Sequence, residues 1–143
     1  MLFAVSLPYS PITERMRKAV VDKVRDELLT PRGIRTLSPS DPNYHPTCQG
    51  SQAERDMAYH QGTVWPWLLG PFIEAYIKVY GHGGVSFVRN IFTEMEASLK
   101  EKCIGPVPEI YDGNEPHIPR GAVAQAWSVA ELLRVKSMID KVY

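Results

Sequence analysis

The feature that most restricts the fold is a run of apolar side chains that recurs at helical spacing between residues 65 and 80. Its members are Trp65, Leu68, Leu69, Phe72, Ile73, Tyr76 and Tyr80. Because they cover most of the circumference, the spacing predicts a helix buried among other elements rather than one lying on the surface. Thr63 is available as its N-cap and Gly81 as its terminator. Pro71 falls inside this predicted helix, where a missing backbone donor can kink the axis.

Three further amphipathic helices are predicted around it, at about 10–29, 85–102 and 121–141. The last of them has apolar side chains that are expected to face inward: Val123, Ala126, Trp127, Ala130 and Leu133. Two long segments, 33–62 and 103–120, have no sustained period and are rich in proline and glycine turns. The sequence therefore predicts an all-α chain, built from paired helices, with long irregular loops at one end.

Length and charge argue against several classes of protein. With 143 residues the chain has the length of one domain, and 1–143 is interpreted as a single domain. Sixteen basic and sixteen acidic residues are interspersed, so no basic stripe marks a nucleic-acid partner. The longest apolar runs are too short to span a membrane. Two cysteines and no secretory leader indicate a reducing, cytoplasmic setting.

Residues 59–67, which read YHQGTVWPW, place two indoles, a phenol, an imidazole and an amide at the mouth of the predicted buried helix. Flat aromatic faces cover the C–H faces of a pyranose, and a few polar groups fix its hydroxyls. This composition is typical of a sugar-binding wall. Trp65 and Trp67 would serve equally well as ordinary core residues, and both interpretations stay open.

Glu109 is the carboxylate that the sequence singles out. Hydrolysis of a glycosidic bond requires one carboxylic acid to protonate the departing oxygen and a second carboxylate to activate water or attack the sugar. Glu109 lies in a proline-braced loop close to Tyr111 and Asp112, where the backbone can hold it at the rim of a pocket. The alternative is a solvated loop glutamate.

No cofactor or metal is predicted. The chain has no nucleophile signature, and its glycine-rich turn at 81–84 follows a helix rather than a strand, unlike a phosphate-binding loop. The side chains considered for zinc are His45, Cys48, His60 and Cys103. Their spacing is poor for zinc because the His45-x-x-Cys48 pair lacks a matching second pair. His82 and His117 are interpreted as turn or surface histidines.

Five stretches of the chain, taken in order, resemble the C-terminal end of bacterial and archaeal-type glycogen debranching enzymes, the amylo-alpha-1,6-glucosidase part. They are 2–8, 28–31 with 33–39, 59–67, 108–113 and 124–128. The glucosidase domain of that family is a toroid of paired helices, related to glucoamylases, with the sugar site formed by loops at one end. The resemblance therefore implies a partial (α/α) toroid of helical hairpins, the C-terminal portion of a six-hairpin ring.

The resemblance also implies roles for particular residues. Glu109 corresponds to the general base of an inverting hydrolase that cleaves α-1,6 branch linkages in glycogen-like glucans. The residues implied to line the glucose pocket are Tyr59, His60, Gln61 and Trp65. Trp127 is expected to pack beside that pocket from the last helix. The general acid of the family lies in a Trp-Met-Asp motif, which does not occur here, and is expected to lie outside this chain.

The expected partners follow from the parts of the toroid that the chain lacks. Uncovered apolar surface of ~400 Å² forgoes about 10 kcal/mol at ~25 cal/mol per Å², comparable with the stability of a whole domain. We therefore expect self-association, or a second chain that supplies the missing half, besides an α-glucan or oligosaccharide ligand. Two alternatives stay open: a non-catalytic module that binds oligosaccharide or a partner subunit, and a helical interaction scaffold without sugar affinity.

Overall fold

The computed structural model describes residues 1–102 and 106–141. Its helices are α1 (Phe3–Ser6), α2 (Glu14–Glu27), α3 (Gln52–Tyr59), α4 (Leu69–Tyr80), α5 (Val85–Lys102) and α6 (Ala126–Lys141). Its strands are β1 (Leu29–Thr30), β2 (Gly33–Arg35), β3 (Val64–Trp65), β4 (Ile110–Tyr111) and β5 (Pro119–Arg120). Short 3₁₀ turns at Pro66–Leu68 and Gly81–Gly84 flank α4. Among these residues, no helix is both long and apolar enough to cross a membrane.

The chain is mostly helical, but the five strands form one antiparallel sheet in the order β1-β2-β3-β4-β5. Ile34 pairs with Trp65, and Val64 pairs with Tyr111. The all-α prediction was therefore wrong in this part. Strands of two or three residues are too short to show an alternating pattern, and their partners lie far away in the sequence.

Helix α4 is the central element, as its apolar circumference predicted, and it contacts α1, α2, α5 and α6. Phe72 and Ile73 are buried in the core that these helices share. The helix begins at Leu69 rather than near Trp65, which belongs to β3. Pro71 consequently lies in the first turn, where its missing N–H would have had no intrahelical partner, so proline is tolerated there.

Helices α2 and α3 also differ from the sequence prediction. Helix α2 begins at Glu14, and the Thr13 side chain accepts the amide of Met16 at 3.4 Å. Helix α3 lies inside a segment predicted to be irregular. It opens with a capping box, in which the Ser51 side chain accepts the Glu54 amide and the Glu54 carboxylate accepts the Ser51 amide.

Helix α6 presents a different face to the core from the one predicted. It begins at Ala126, and its buried side chains are Ser128, Val135 and Ile139. The side chains predicted to face inward, all exposed, are Val123, Ala126, Trp127, Ala130 and Leu133. The helix is present, but the side chains predicted to be buried remain exposed within the part of the chain that the structure describes.

Candidate active site

The sheet brings the two long connecting segments together. Tyr59 is the last residue of α3, and Glu109 comes directly before β4. The Tyr59 hydroxyl donates a hydrogen bond to Glu109 Oε1. The aromatic stretch and the candidate carboxylate, fifty residues apart in the sequence, therefore lie at one place in the structure.

The backbone around this contact is closely packed. Val64 and Tyr111 are antiparallel register partners, which places the residues before Val64 beside the residues after Tyr111. The Gly113 amide donates to the Pro46 carbonyl at 2.8 Å, and a Cβ on Gly113 would collide with the Gly62 carbonyl oxygen. Glycine at this point lets the loop of Glu109 approach the aromatic stretch.

Trp65 forms the base of an aromatic cluster. The His60 ring stacks on it at 5.2 Å and 15°, and the Tyr59 ring meets it edge-on at 4.8 Å. Its indole N–H donates to the Tyr59 carbonyl at 3.1 Å and to the Thr63 hydroxyl at 3.2 Å. With 4% of its surface exposed, Trp65 is a core residue, and the rings of Tyr59 and His60 pack on it. Its predicted contact with glucose stays a prediction.

Trp127 packs beside this cluster from α6, and its role next to a glucose pocket stays a prediction. Its ring lies 6.2 Å from Trp65 and 6.3 Å from Trp67, and Phe3 stacks on Trp67 at 5.9 Å. Trp127 is 48% exposed, His60 is also exposed, and Tyr59 is partly buried. A continuous row of rings thus extends from the candidate carboxylate to the N-terminal helix.

Gln61 is held in the same loop through its backbone. Its amide donates to the Ala58 carbonyl at 3.0 Å, and its carbonyl accepts the His45 amide at 2.6 Å. Gln61 is partly buried. Four of the five predicted pocket residues therefore lie in one short stretch that runs from the last residue of α3 to the last residue of β3.

The two carboxylates nearest the cluster have different environments. Asp112 is 7% exposed and receives Arg120 Nε at 3.1 Å and Nη2 at 3.0 Å, and this bond raises the pKa of Arg120. Asp112 is therefore occupied in a bidentate ion pair. Glu109 is held by neutral donors: besides Tyr59, the Ala122 amide donates to its Oε2 at 2.9 Å. Glu109 keeps lone pairs that can accept a proton from water.

The pKa of Tyr59 reports on the same contact. Burial and, after it, the hydrogen bond and charge of Glu109 raise this pKa to about 12. The Tyr59 hydroxyl therefore stays protonated at neutral pH and acts as a donor to the carboxylate.

A family model described as amylo-alpha-1,6-glucosidase matches residues 1–134. The chain belongs to the amylo-alpha-1,6-glucosidase family. Among curated relatives, the glycogen debranching enzyme of Saccharomyces cerevisiae (strain ATCC 204508 / S288c) is 38% identical over 84 residues. That match covers 52% of this chain and 5% of the yeast protein, so the chain spans a small part of this relative.

Two cavities lie near the loops of this amylo-alpha-1,6-glucosidase chain. A cavity of about 310 Å³ is lined by Arg32, Leu99, Pro106, Pro108, Tyr111, His117, Pro119, Arg120, Gly121 and Val123. A groove of about 550 Å³ is lined by His45, Thr47, Gln49, Gly50, Ala53, Glu54, Met57 and Ala58. Glu109 lines neither of these two, although its neighbour Pro108 lines the first.

Sequence reasoning missed several residues of this site. His117 was interpreted as a turn or surface histidine, but it is buried at a positive φ of 57°, with Nδ1 at 2.9 Å from the Asp112 carbonyl. Sequence reasoning also missed Arg120, Gly121 and Ala122. Gly121 and Ala122 act through the backbone, so their side chains gave no recognisable signal. Residues 1–102 and 106–141 contain no group of three or more histidine, cysteine or acidic side chains that could hold a metal. Cys103 lies outside those residues.

Proposed function

We propose that this chain is the C-terminal part of an inverting α-1,6-glucosidase that removes branch glucose units from glycogen-like glucans, with Glu109 as the general base. The observation that carries the proposal is the hydrogen bond between Tyr59 and Glu109, which joins the aromatic stretch to a carboxylate whose hydrogen-bond donors, within residues 1–102 and 106–141, are a phenol and a backbone amide. Membership of the amylo-alpha-1,6-glucosidase family and the name of the yeast relative support the substrate class.

In this proposal, Glu109 takes a proton from a water molecule as the water oxygen attacks the anomeric carbon. The new C–O bond forms on the face opposite the departing oxygen, so the configuration inverts. The old glycosidic bond breaks as a general acid protonates the departing oxygen. That acid comes from outside this chain, at about 6.5 to 9.5 Å from Glu109, a distance that leaves room for water.

The proposed glucose contacts come from groups that remain accessible. His60 is exposed and Trp127 half exposed, while Tyr59 and Gln61 are partly buried beside them. These groups offer ring faces and polar atoms to one sugar unit. Trp65 contributes by holding His60 and Tyr59 in place through its ring contacts.

We further propose that another half of a helical toroid completes the domain. Helix α6 has an apolar stripe, which we name the α6 stripe, formed by Ala126, Val129, Ala130 and Leu133. Its members recur at i, i+3, i+4 and i+7 and are all exposed. A missing half of the toroid would cover this stripe, and in its absence a second copy of the chain would do so.

The first test is glucan binding. Isothermal titration of this chain with maltooligosaccharides and with an α-1,6-branched oligosaccharide is expected to give saturable binding that His60→Ala or Trp127→Ala weakens. The matched control is His82→Ala, an exposed histidine in the turn after α4. A flat titration of a folded chain would contradict the sugar site and favour the interaction scaffold.

The second test is hydrolysis. Alone, the chain is expected to release no glucose, because the acid is absent. Co-expression with a polypeptide that carries the earlier part of a debranching-type glucosidase domain should restore glucose release. Glu109→Gln should then lower the rate by a factor of about 100 to 10,000. Proton NMR of the first product should show the inverted anomer. Glucan binding without any restored hydrolysis would support the non-catalytic module instead.

A further inference from the structure

The Glu109 side chain is held at both of its oxygens. Tyr59 donates to Oε1 from the end of α3, and the Ala122 amide donates to Oε2 at 2.9 Å from beyond β5. The two donors come from segments that are more than fifty residues apart in the chain. They reach the carboxylate from separate elements, so together they fix its position and the plane in which it lies.

Ala122 also binds the backbone of the same glutamate. The Glu109 amide donates to the Ala122 carbonyl at 2.9 Å, while the Ala122 amide donates to the Glu109 side chain. This reciprocal pair keeps the main chain of residue 109 at a fixed distance from residue 122. The pair therefore reduces the freedom of both the backbone and the side chain of the candidate base.

Gly121 makes the pair possible for two separate reasons. Its φ is +67°, a left-handed conformation that is unfavourable for a residue with a Cβ. In addition, a Cβ there would collide with Glu109 Oε2 and would lie 3.2 Å from both Cβ and Cδ of the same side chain. A side chain at 121 would thus push the carboxylate away from the Ala122 amide.

We propose that Tyr59, Gly121 and Ala122 form a carboxylate clamp that positions Glu109 for its reaction, with Tyr59 acting on Oε1 and the Gly121–Ala122 turn on Oε2. The proposal rests on the proposed function of Glu109 as a base. Tyr59 is then a positioning residue as well as a member of the glucose site.

The clamp orders the side chain of a general base that lies on a loop. A free glutamate side chain loses rotamer freedom when it is ordered, and this loss opposes the ordering. Two preset donors remove that freedom before substrate binds, and each oxygen keeps a lone pair for the attacking water. Because displacement by about 1 Å can slow a reaction about 100-fold, the clamp should act on kcat more than on KM.

The test uses Tyr59 as a reporter of the position of the Glu109 carboxylate. In the chain labelled with ¹³Cζ-tyrosine, NMR follows the ionisation of Tyr59, whose pKa is raised to about 12. Glu109→Gln should lower this pKa, although burial will keep it above its ordinary value. Gly121→Ala should lower it in the same direction, because the carboxylate is displaced.

The matched control is Gly81→Ala. Gly81 also has a positive φ, +56°, but a Cβ there would meet nothing within 4 Å. Both variants therefore bear backbone strain, and only Gly121→Ala should change the Tyr59 signal. If Gly121→Ala does not fold, Glu109→Asp replaces it: a carboxylate one methylene shorter cannot reach both donors, and the Tyr59 pKa should fall.

A folded Gly121→Ala or Glu109→Asp variant that keeps the wild-type Tyr59 ionisation would overturn the clamp. In the complemented enzyme, Gly121→Ala should lower kcat by up to about 100-fold with little change in KM. An unchanged kcat would also overturn it. The Tyr59 signal needs no glucan, so failure of the clamp is measured separately from failure of sugar binding or hydrolysis.

Discussion

Tyr59 should make the stability of the chain sensitive to alkali. The folded chain holds the Tyr59 proton up to a pKa of about 12, whereas an unfolded tyrosine ionises near pH 10. The unfolded state therefore loses its proton first. The contribution of this group to the free energy of unfolding is complete below about pH 10 and is lost as the pH rises to about 12. Tyr59→Phe should flatten that loss in urea unfolding curves recorded across this pH interval.

Tyr44→Phe is the control for this measurement, since the Tyr44 hydroxyl donates to Asn114 Oδ1 at 3.0 Å and not to Glu109. Tyr111, whose pKa is also raised by burial, leaves a residual slope in every variant. If Tyr59→Phe and Tyr44→Phe have the same pH dependence, the link between Tyr59 and the carboxylate is disproved.

At the scale of single residues, the sequence identified Glu109 and Tyr59 as candidates, and the resemblance placed both at one glucose site, but no local pattern predicted the hydrogen bond between them. Composition and a proline-rich context single out such groups, whereas their contact depends on β3 and β4, strands of two residues each. His117 was misplaced for a similar reason. Its burial is decided by the backbone that folds over it, and flanking residues do not report this.

Helix α3 determines where Tyr59 lies, and its first turn offers a direct test. The Ser51 side chain accepts the Glu54 amide at 3.4 Å, and the Glu54 carboxylate accepts the Ser51 amide at 2.7 Å. Ser51→Ala should destabilise this end of the helix by about 1 kcal/mol. Hydrogen exchange of the α3 amides measures the loss.

The control for the cap is Ser137→Ala, an exposed position in the interior of α6, where the change should stay within about 0.5 kcal/mol. Equal protection of the α3 amides in Ser51→Ala and in the unaltered chain would show that the capping box contributes nothing to α3.

At the scale of secondary-structure elements, the sequence predicted the long helices but not the short helix α3 or the short strands. Helices α2, α4 and α5 have 14, 12 and 18 residues, enough for a helical period to emerge from the pattern. Helix α3 has 8 residues and mostly polar side chains, so only its Ser51-x-x-Glu54 box could have revealed it. The sheet joins five very short strands, and nothing local specifies their register.

At the scale of the whole molecule, the α6 stripe is exposed in the described residues, although its apolar spacing is typical of a buried helix face. Val129 is 39% and Leu133 65% exposed within the α6 stripe, while α4, on the other side, is enclosed by helices. Apolar surface at helical spacing favours contact with a partner, because burial contributes about 25 cal/mol per Å². The isolated chain should therefore self-associate as its concentration rises in sedimentation velocity experiments.

Leu133→Lys should shift that association toward the monomer, because a charge placed in the α6 stripe must be desolvated on contact. Met16→Lys, at a position on α2 that is 47% exposed, introduces the same charge outside the stripe and should leave association unchanged. Both variants should keep the urea midpoint of the isolated monomer, since neither side chain lies in the core. If the unaltered chain remains monomeric at every concentration, or if both lysine variants dissociate it equally, α6 is not the surface on which the missing half docks. Loss of association in Leu133→Lys alone would instead assign that surface to α6, beside Trp127 and the candidate site.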